Sequence, residues 1–406
     1  MSKKILVVSQ YFYPEQFRIN DICTSWIKRG YEVTVLTGIP NYPQGDFYNE
    51  YGLKKRRKDE FDGVNIIRIP IIPRKSNSIM MALNYLSFVI SGFVWNLNNK
   101  EKFDMVFIYE VSPMTQAMPG IWIAKKLKIP CYIYVMDLWP ENFEIITGIS
   151  NRMIIKTLDN MVDYIYKNCT KIFTASESFK NNIESRGHDS NKIYFWPQYA
   201  EEFYRPNVLA SNKLKQDGKI NITFAGNVGV AQGLDILPSI GEDLKSRNST
   251  IRFNIVGNGR YLSTLKDEIE QKNLQEYFCF IDAVPPTEVS GIFSASDFSL
   301  VCLQENEIFS MTIPAKLQSS MACGKPILLS ASGESQTIVK NADCGFVSDA
   351  GNINQLLNNL KLIESLTRDE IVNMGNNSRK YFLEYFEKEI LLDKMDNYIT
   401  EETYNV

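Results

Sequence analysis

The sequence predicts an α/β protein built from two doubly wound parallel sheets. Three observations carry that expectation. Short apolar runs of strand length recur along the chain with helix-length segments between them, as parallel strands buried on both faces require. The alternation breaks once, at a Pro- and aromatic-rich stretch over residues 196–206, and then restarts. The length, 406 residues, exceeds the roughly 250–300 at which a single core stops growing.

The elements follow in order. Residues 5–9 read as the first strand; with only Met-Ser-Lys-Lys before it, the apolar part is too short for a signal peptide. A loop over residues 10–18 leads to a helix ending near Arg29, where Gly30 stops it. Further strands are expected at 31–37, 105–109, 132–136 and 172–175, with an apolar helix over 121–127. After the break, strands are expected at 220–225, 251–256, 278–281, 298–303, 326–330 and 345–347, and from about Leu366 the chain is helical. Residues 79–95 are the most apolar stretch outside the strands but include Asn84, Ser87, Ser91 and Gly92. A bilayer span needs roughly 20 mostly apolar residues, so the stretch reads as a core helix, with an interfacial helix as the alternative.

Composition excludes several chemistries. His188 is the single histidine, which removes zinc sites built on several histidines and any His pair. A nucleophilic triad would have to use His188. The seven cysteines are scattered, with no C-x-x-C pair, and read as buried free thiols of a reducing compartment. The net charge of −3 hides an asymmetry: residues 1–200 carry 25 Lys and Arg against 19 Asp and Glu, and residues 201–406 carry 19 against 28. The basic run Lys54, Lys55, Arg56, Arg57 and Lys58 reads as a solvated loop or as a contact with an anionic membrane surface. Nucleic acid is not expected, because no recognition module is present.

Four motifs can carry chemistry. Ala225-Gly226-Asn227-Val228-Gly229 follows a strand and precedes a helix, so its amides can approach a phosphate at a helix N-terminus. A tight strand–helix turn is the plainer reading. Gly257-Asn258-Gly259-Arg260 ends the next strand, so the two loops would share one crevice at the carboxyl ends of the sheet. Pro314-Ala315-Lys316 opens a helix ending at Gly324. A cation in a first helical turn opposes the macrodipole, which points to an anionic ligand for Lys316 unless it is only a surface lysine. In the first half, Asp137-Leu138-Trp139-Pro140-Glu141, Tyr109-Glu110 and Glu15-Gln16-Phe17-Arg18 follow three strands and would form one polar rim, although Asp137 could instead cap a helix. No D-x-D motif occurs, so no metal is expected at a diphosphate.

These residues resemble glycosyltransferase family 4, of GT-B fold. The stretches YFYPEQFRIND, DLWPEN, AGNVGVAQGL and IPAKLQSSMACGKPIL look closest to bacterial O-antigen and capsule enzymes, especially the N-acetyl-L-fucosamine transferase type. The resemblance implies two Rossmann-like domains facing a cleft: an acceptor domain over residues 1–198, a nucleotide-sugar domain over 199–375, and C-terminal helices over 376–406 returning to the first. It implies a retaining, metal-independent transfer from a UDP-sugar, with no cofactor, to a lipid-linked saccharide by a cytoplasmic protein peripheral on the inner membrane face. The donor would contact Gly226, Asn227, Val228, Gly229, Gly257, Asn258, Gly259 and Lys316. Asp137, Glu110, Lys316 and Arg260 would act in catalysis, and Glu15, Arg18, Tyr109 and Glu141 would meet the acceptor.

The chain departs from the family pattern in three places. The acceptor-domain histidine is absent near residues 109–112. Ser319 and Met311 stand where the paired glutamates are expected, and Asn227 and Gln232 stand for the diphosphate-loop Arg and Lys. Two rival functions stand beside the transferase: a UDP-sugar epimerase, which shares the architecture, and a non-catalytic nucleotide-sugar-binding protein, which the missing glutamates suggest.

Overall fold

The computed structural model describes residues 2–75, 77–148 and 151–401. The chain divides into two compact units, Met1–Ala175 with Phe179–Phe195, and Ser176–Ser178 with Trp196–Val406.

The first unit runs β1 (Lys4–Val8), α1 (Arg18–Lys28), β2 (Glu32–Thr37), β3 (Lys58–Phe61), β4 (Val64–Arg68), α2 (Ser78–Asn98), β5 (Met105–Glu110), α3 (Met118–Leu127), β6 (Cys131–Val135), α4 (Glu141–Thr147), α5 (Arg152–Lys167), β7 (Lys171–Thr174), α6 (Glu177–Ser185) and β8 (Ile193–Phe195). The sheet order is β3-β4-β2-β1-β5-β6-β7-β8. Every strand of β5 and β6 is buried along its whole length, which is why they appear in the sequence as unbroken apolar runs. On α1, Ile19, Ile22, Cys23 and Trp26 are buried, and Trp26 meets Phe107 of β5 edge-on at 5.0 Å. The order reverses direction between β1 and β5, so a crevice opens beyond their carboxyl ends.

Three strands had no signal strong enough to read. β3 and β4 form an antiparallel hairpin turned by Asp62 and Gly63, both at positive φ, a two-residue turn that matches strand twist. β3 (KDEF) is half exposed and lacks an apolar face because it lies at the sheet edge. β8 has only three residues. A larger correction concerns residues 79–95. The helix forms, but it is not a core helix: in α2 only Asn84, Phe88, Gly92 and Asn96 are buried.

The second unit runs β9 (Ile220–Ala225), α7 (Leu237–Ser246), β10 (Ile251–Val256), α8 (Leu262–Gln271), β11 (Phe278–Ile281), α9 (Val289–Ser294), β12 (Phe298–Cys302), α10 (Glu307–Met311), α11 (Ala315–Ala322), β13 (Ile327–Ser330), α12 (Glu334–Asn341), β14 (Gly345–Ser348), α13 (Ile353–Ser365), α14 (Arg368–Tyr385) and α15 (Lys388–Glu401). Its sheet is parallel throughout, in the order β11-β10-β9-β12-β13-β14. Ile222, Phe224, Leu237, Phe253, Leu300 and Leu356 sit in one fully buried core. The direction reverses between β9 and β12, which places this unit's crevice there.

The Pro- and aromatic-rich break over residues 196–206 is anchored at its start, although Glu202 and Arg205 are exposed. Trp196 and Tyr199 are buried, and Trp196 Nε1 donates to the Leu391 carbonyl of α15 at 2.8 Å. Of the expected C-terminal region, residues 376–401 form the end of α14 and all of α15, and residues 402–406 lie outside the described residues. All seven cysteines are free thiols, six of them buried.

Candidate active site

In the second unit, Ala225 and Val256 pair at the ends of β9 and β10, so the two glycine loops leave the sheet side by side. They are zipped together. Gly226 N donates to Val256 O at 2.9 Å, Val228 N to Asn258 O at 2.8 Å and Tyr261 N to Val228 O at 3.0 Å. A Cβ on Gly257, which sits at φ +140°, would fall 1.9 Å from the Gly226 carbonyl oxygen, so glycine is required there. The zipper redistributes the amides expected at a phosphate. Those of Gly226 and Val228 are engaged within the protein, and the Val228 side chain is fully buried in the core. Asn227 and Gly229 keep amides outside the zipper. In the second loop Gly257 N donates to Ile281 O at 3.0 Å, while Asn258 and Arg260 are exposed.

Lys316 lies in the first turn of α11, as its spacing from Pro314 predicts. Its side chain crosses the first loop: a Cβ on Gly226 would fall 2.6 Å from Lys316 Cε. Its ammonium sits 4.8 Å from the centre of the Phe224 ring and donates to Gln232 Oε1. Burial pulls its pKa down to about 8, slightly opposed by the Cys302 thiol. Among the described residues, no ion pair holds it. Gln232, the position where a cation was missed, is therefore in contact with the cation that remains. Arg260 carries no ion pair among the described residues and is not joined to Lys316 by any bond. Ser319, at a vacated glutamate position, only donates back to the Lys316 carbonyl at 3.1 Å.

The first unit brings its predicted residues to the ends of β1, β5 and β6, with different roles. Glu110 is fully buried, and neither carboxyl oxygen meets a donor at bonding geometry. Burial and then the charge of Asp137 push its pKa well up, against a weaker pull from the Met136 and Asp137 amides. Asp137 accepts from Ser112 N at 2.7 Å, and Trp139 Nε1 donates to Ser112 Oγ at 3.2 Å, which ties the two rim loops. Tyr109 is buried, stacks edge-on against Tyr134 at 5.9 Å, and has a hydroxyl pushed up by burial, with Arg18 opposing. Glu141 opens α4 and accepts from Asn182 Nδ2 at 3.2 Å.

Glu15 has a different position from the one expected of an acceptor contact. It is buried and turned inward, accepting from the backbone of Tyr42 at 2.7 Å, Asn41 at 2.9 Å and Phe12 at 3.3 Å. Burial nonetheless raises its pKa to about 7. Sequence reasoning missed the aromatic platform these loops build. Tyr11 stacks on Phe17 at 5.2 Å and meets Tyr42 at 5.5 Å, Arg74 covers Tyr42 at 5.3 Å, and Tyr85 of α2 feels both Arg74 and Asp137. Tyr11 and Phe17 were visible inside YFYPEQFRIND; Arg74 and Tyr85 lie in stretches with no motif.

His188 precedes β8 and so lies at the amino edge of the sheet, opposite the rim that carries Glu110 and Asp137. It bonds to Asp163 Oδ1 at 3.1 Å and meets Tyr166 edge-on at 5.4 Å. In the basic run, Arg56 pairs with Glu50 and Asp59, and Arg57 donates to the Arg68 carbonyl. Lys54, Lys55 and Lys58 make no ion pair among the described residues. Among the described residues, no group of three or more His, Cys, Asp or Glu could hold a metal ion.

Two Rossmann-like units, each with its own switch-point crevice, define a protein of GT-B fold. Residues 17–198 match the model of Glycosyltransferase Family 4, and residues 209–381 match that of Glycosyl transferases group 1. Between them these cover most of the chain, which belongs to the group 1/family 4 glycosyltransferases. It is 23% identical over 348 residues to WcaI of Escherichia coli, named for colanic acid biosynthesis, covering 81% of this chain and 83% of WcaI. The fold is similar to sucrose-phosphate synthase from Thermosynechococcus elongatus, at TM-score 0.73 and 13% identity over the full length of both chains. It is also similar to Anabaena HepE in complex with UDP, at TM-score 0.66 and 12% identity over 99% of this chain and 100% of HepE.

Proposed function

We propose that the chain is a retaining glycosyltransferase that moves a sugar from a UDP-sugar to a lipid-linked saccharide in O-antigen or capsule biosynthesis. N-acetyl-L-fucosamine is the first donor sugar to test. One observation supports the donor half above all: a half-buried ammonium, Lys316, held without a counter-ion over the glycine at the end of β9. A desolvated cation of this kind gains most from an anion that completes its site. The solved relative with UDP and the relative named for polysaccharide biosynthesis agree in kind with this reading.

In this reading, the Asn227 and Gly229 amides, Lys316 and Arg260 stabilise the charge that grows on the departing diphosphate. The acceptor hydroxyl attacks from the same face, and the leaving phosphate oxygen takes its proton. Asp137 accepts from a sugar hydroxyl, Glu110 lies buried behind it and supports the rim, and the platform of Tyr11, Phe17 and Tyr42 stacks the acceptor ring. His188, on the far edge of its sheet, leaves the epimerase alternative without a histidine at the rim.

A thermal-shift screen against UDP-, GDP- and dTDP-sugars tests the nucleotide. A ligand at 100 times its Kd adds about 2.7 kcal/mol, and a shift with GDP- but not UDP-sugars would overturn the assignment. NMR of the product should show retained anomeric configuration. Turnover should be unchanged by EDTA, and inhibition that magnesium reverses would remove metal independence.

A further inference from the structure

α2 is amphipathic in the inverted sense. Its 21 residues contain no charged side chain, and the polar groups Asn84, Ser87 and Ser91 along its middle point inward. Asn84 Nδ2 donates to Ile72 O at 2.6 Å and Asn84 Oδ1 accepts from Gln10 at 2.7 Å. Ser87 Oγ accepts from Ile72 N at 2.9 Å, and Ser91 Oγ donates to Pro70 O at 2.5 Å. The outward face is a continuous apolar stripe of Ile79, Leu83, Leu86, Ile90, Phe93, Val94 and Leu97, between 39% and 75% exposed. A water-facing helix of a globular domain has the opposite arrangement, and soluble monomers rarely expose contiguous apolar patches of this extent.

Arg74 lies against Met81 near the start of α2, at 3.4 Å, and a denser cluster of cations borders the other end of the stripe. Lys100, Lys102, Lys125, Lys126 and Lys128 are all exposed there, and Lys126 donates to the Asn96 carbonyl at 2.5 Å. Trp122 of α3 sits beside the stripe, edge-on to Phe93 at 5.4 Å. Neither α2 nor α3 contains an Asp or Glu. Glu101, exposed between Lys100 and Lys102, offsets one of these charges; a second copy laid on this face would bring no carboxylate from either helix to the rest, whereas anionic headgroups would neutralise them.

We propose that α2 lies in one leaflet of an anionic lipid bilayer, its stripe inserted at the headgroup–acyl boundary and the lysine cluster on the headgroups. The helix is long and apolar enough to span, but it is fixed to the domain along its length. Besides the bonds above, a Cβ on Gly92 would fall 2.3 Å from Pro119 Cγ, so α2 and α3 pack backbone-close. The helix therefore lies flat and does not cross.

The test is flotation of the full chain with vesicles of phosphatidylcholine alone or with about a third phosphatidylglycerol. The protein should bind the anionic vesicles and do so less at high salt. Leu86→Glu with Ile90→Glu should lower binding about tenfold or more, with thermal midpoint and UDP-induced shift unchanged. Lys100→Glu with Lys128→Glu should remove the preference for anionic over neutral vesicles. Brominated lipids should quench tryptophan fluorescence, and Trp122→Phe should reduce the quenching. No vesicle binding by the unaltered chain, or full binding by the Leu86/Ile90 variant, would overturn the proposal. So would a dimer that the same variant dissociates without any vesicle binding, which assigns the face to a second copy. Vesicle binding needs neither donor nor acceptor, so failure here is distinct from failure of the transferase reading.

Discussion

At Lys316, the missing diphosphate-loop cation at position 232 is answered by an amide that bonds to a lysine arriving from α11. The lysine lies at the positive end of its own helix, over an aromatic ring, with a pKa of about 8. An anion should bind best while the ammonium is charged, so UDP affinity should fall as pH rises through about 8. Lys316→Ala should abolish that limb and lower kcat/KM by about 100-fold. Its thermal midpoint should stay level or rise, because a desolvated charge is removed. An unchanged kcat/KM would take Lys316 out of the site. Glu15 supports a second residue-scale expectation, with the sign running the other way from an ordinary ion-paired carboxylate. Its folded pKa is raised from 4.5 to about 7, so the folded state holds a proton that the unfolded chain releases. Stability from this group is full below pH 4.5 and is lost by about pH 7, to the extent of about 3 kcal/mol. Glu15→Gln keeps an acceptor for the Asn41 and Tyr42 amides, gives up the longer bond from Phe12, and should flatten this loss in urea melts between pH 5 and 8. An identical pH slope in both proteins would contradict the burial argument.

At the scale of elements, the second unit was legible almost residue by residue. β9, β10 and β11 have the bounds that their apolar runs predict, because strands covered on both faces admit little else. Gly226 and Gly257 were legible as turn residues, but their mutual contact was not, since the zipper depends on two loops separated by a helix. That contact makes a strong prediction. Gly257→Ala would put a methyl 1.9 Å from the Gly226 oxygen at a φ of +140°, and should cost at least about 2 kcal/mol. It should also weaken UDP binding, because both loops shift together; a variant with native stability and UDP affinity would refute the zipper. In the first unit, the pattern of α2 signalled a helix but misassigned its apolar face. Hydropathy counts apolar residues without saying whether they face the core, and the informative residues were Asn84, Ser87 and Ser91, whose inward bonds leave the rest outside. The β3–β4 hairpin was missed because an edge strand has no buried face to declare itself.

At the scale of the whole molecule, the charge asymmetry divides with the chemistry. The half that carries the net positive charge holds the lysine cluster beside α2, and the net negative half holds Lys316, which makes no ion pair among the described residues and sits against Phe224, Gln232 and Gly226. An anionic nucleotide is therefore recognised by local desolvation and backbone amides more than by the overall field, which has the wrong sign for steering. UDP binding should accordingly depend only weakly on salt, whereas vesicle binding should depend on it steeply. The units also have separate hydrophobic cores, one centred on Phe253 and Leu300 and the other on β5 and β6. A ligand held by the second unit should therefore raise the calorimetric transition of that unit, by about 2.7 kcal/mol at 100 times its Kd. The pH-dependent loss at Glu15 should appear in the transition of the first. If UDP and Glu15→Gln instead moved one common transition by the same route, the units would unfold as one cooperative body, and the donor site would be coupled to the acceptor rim through stability itself.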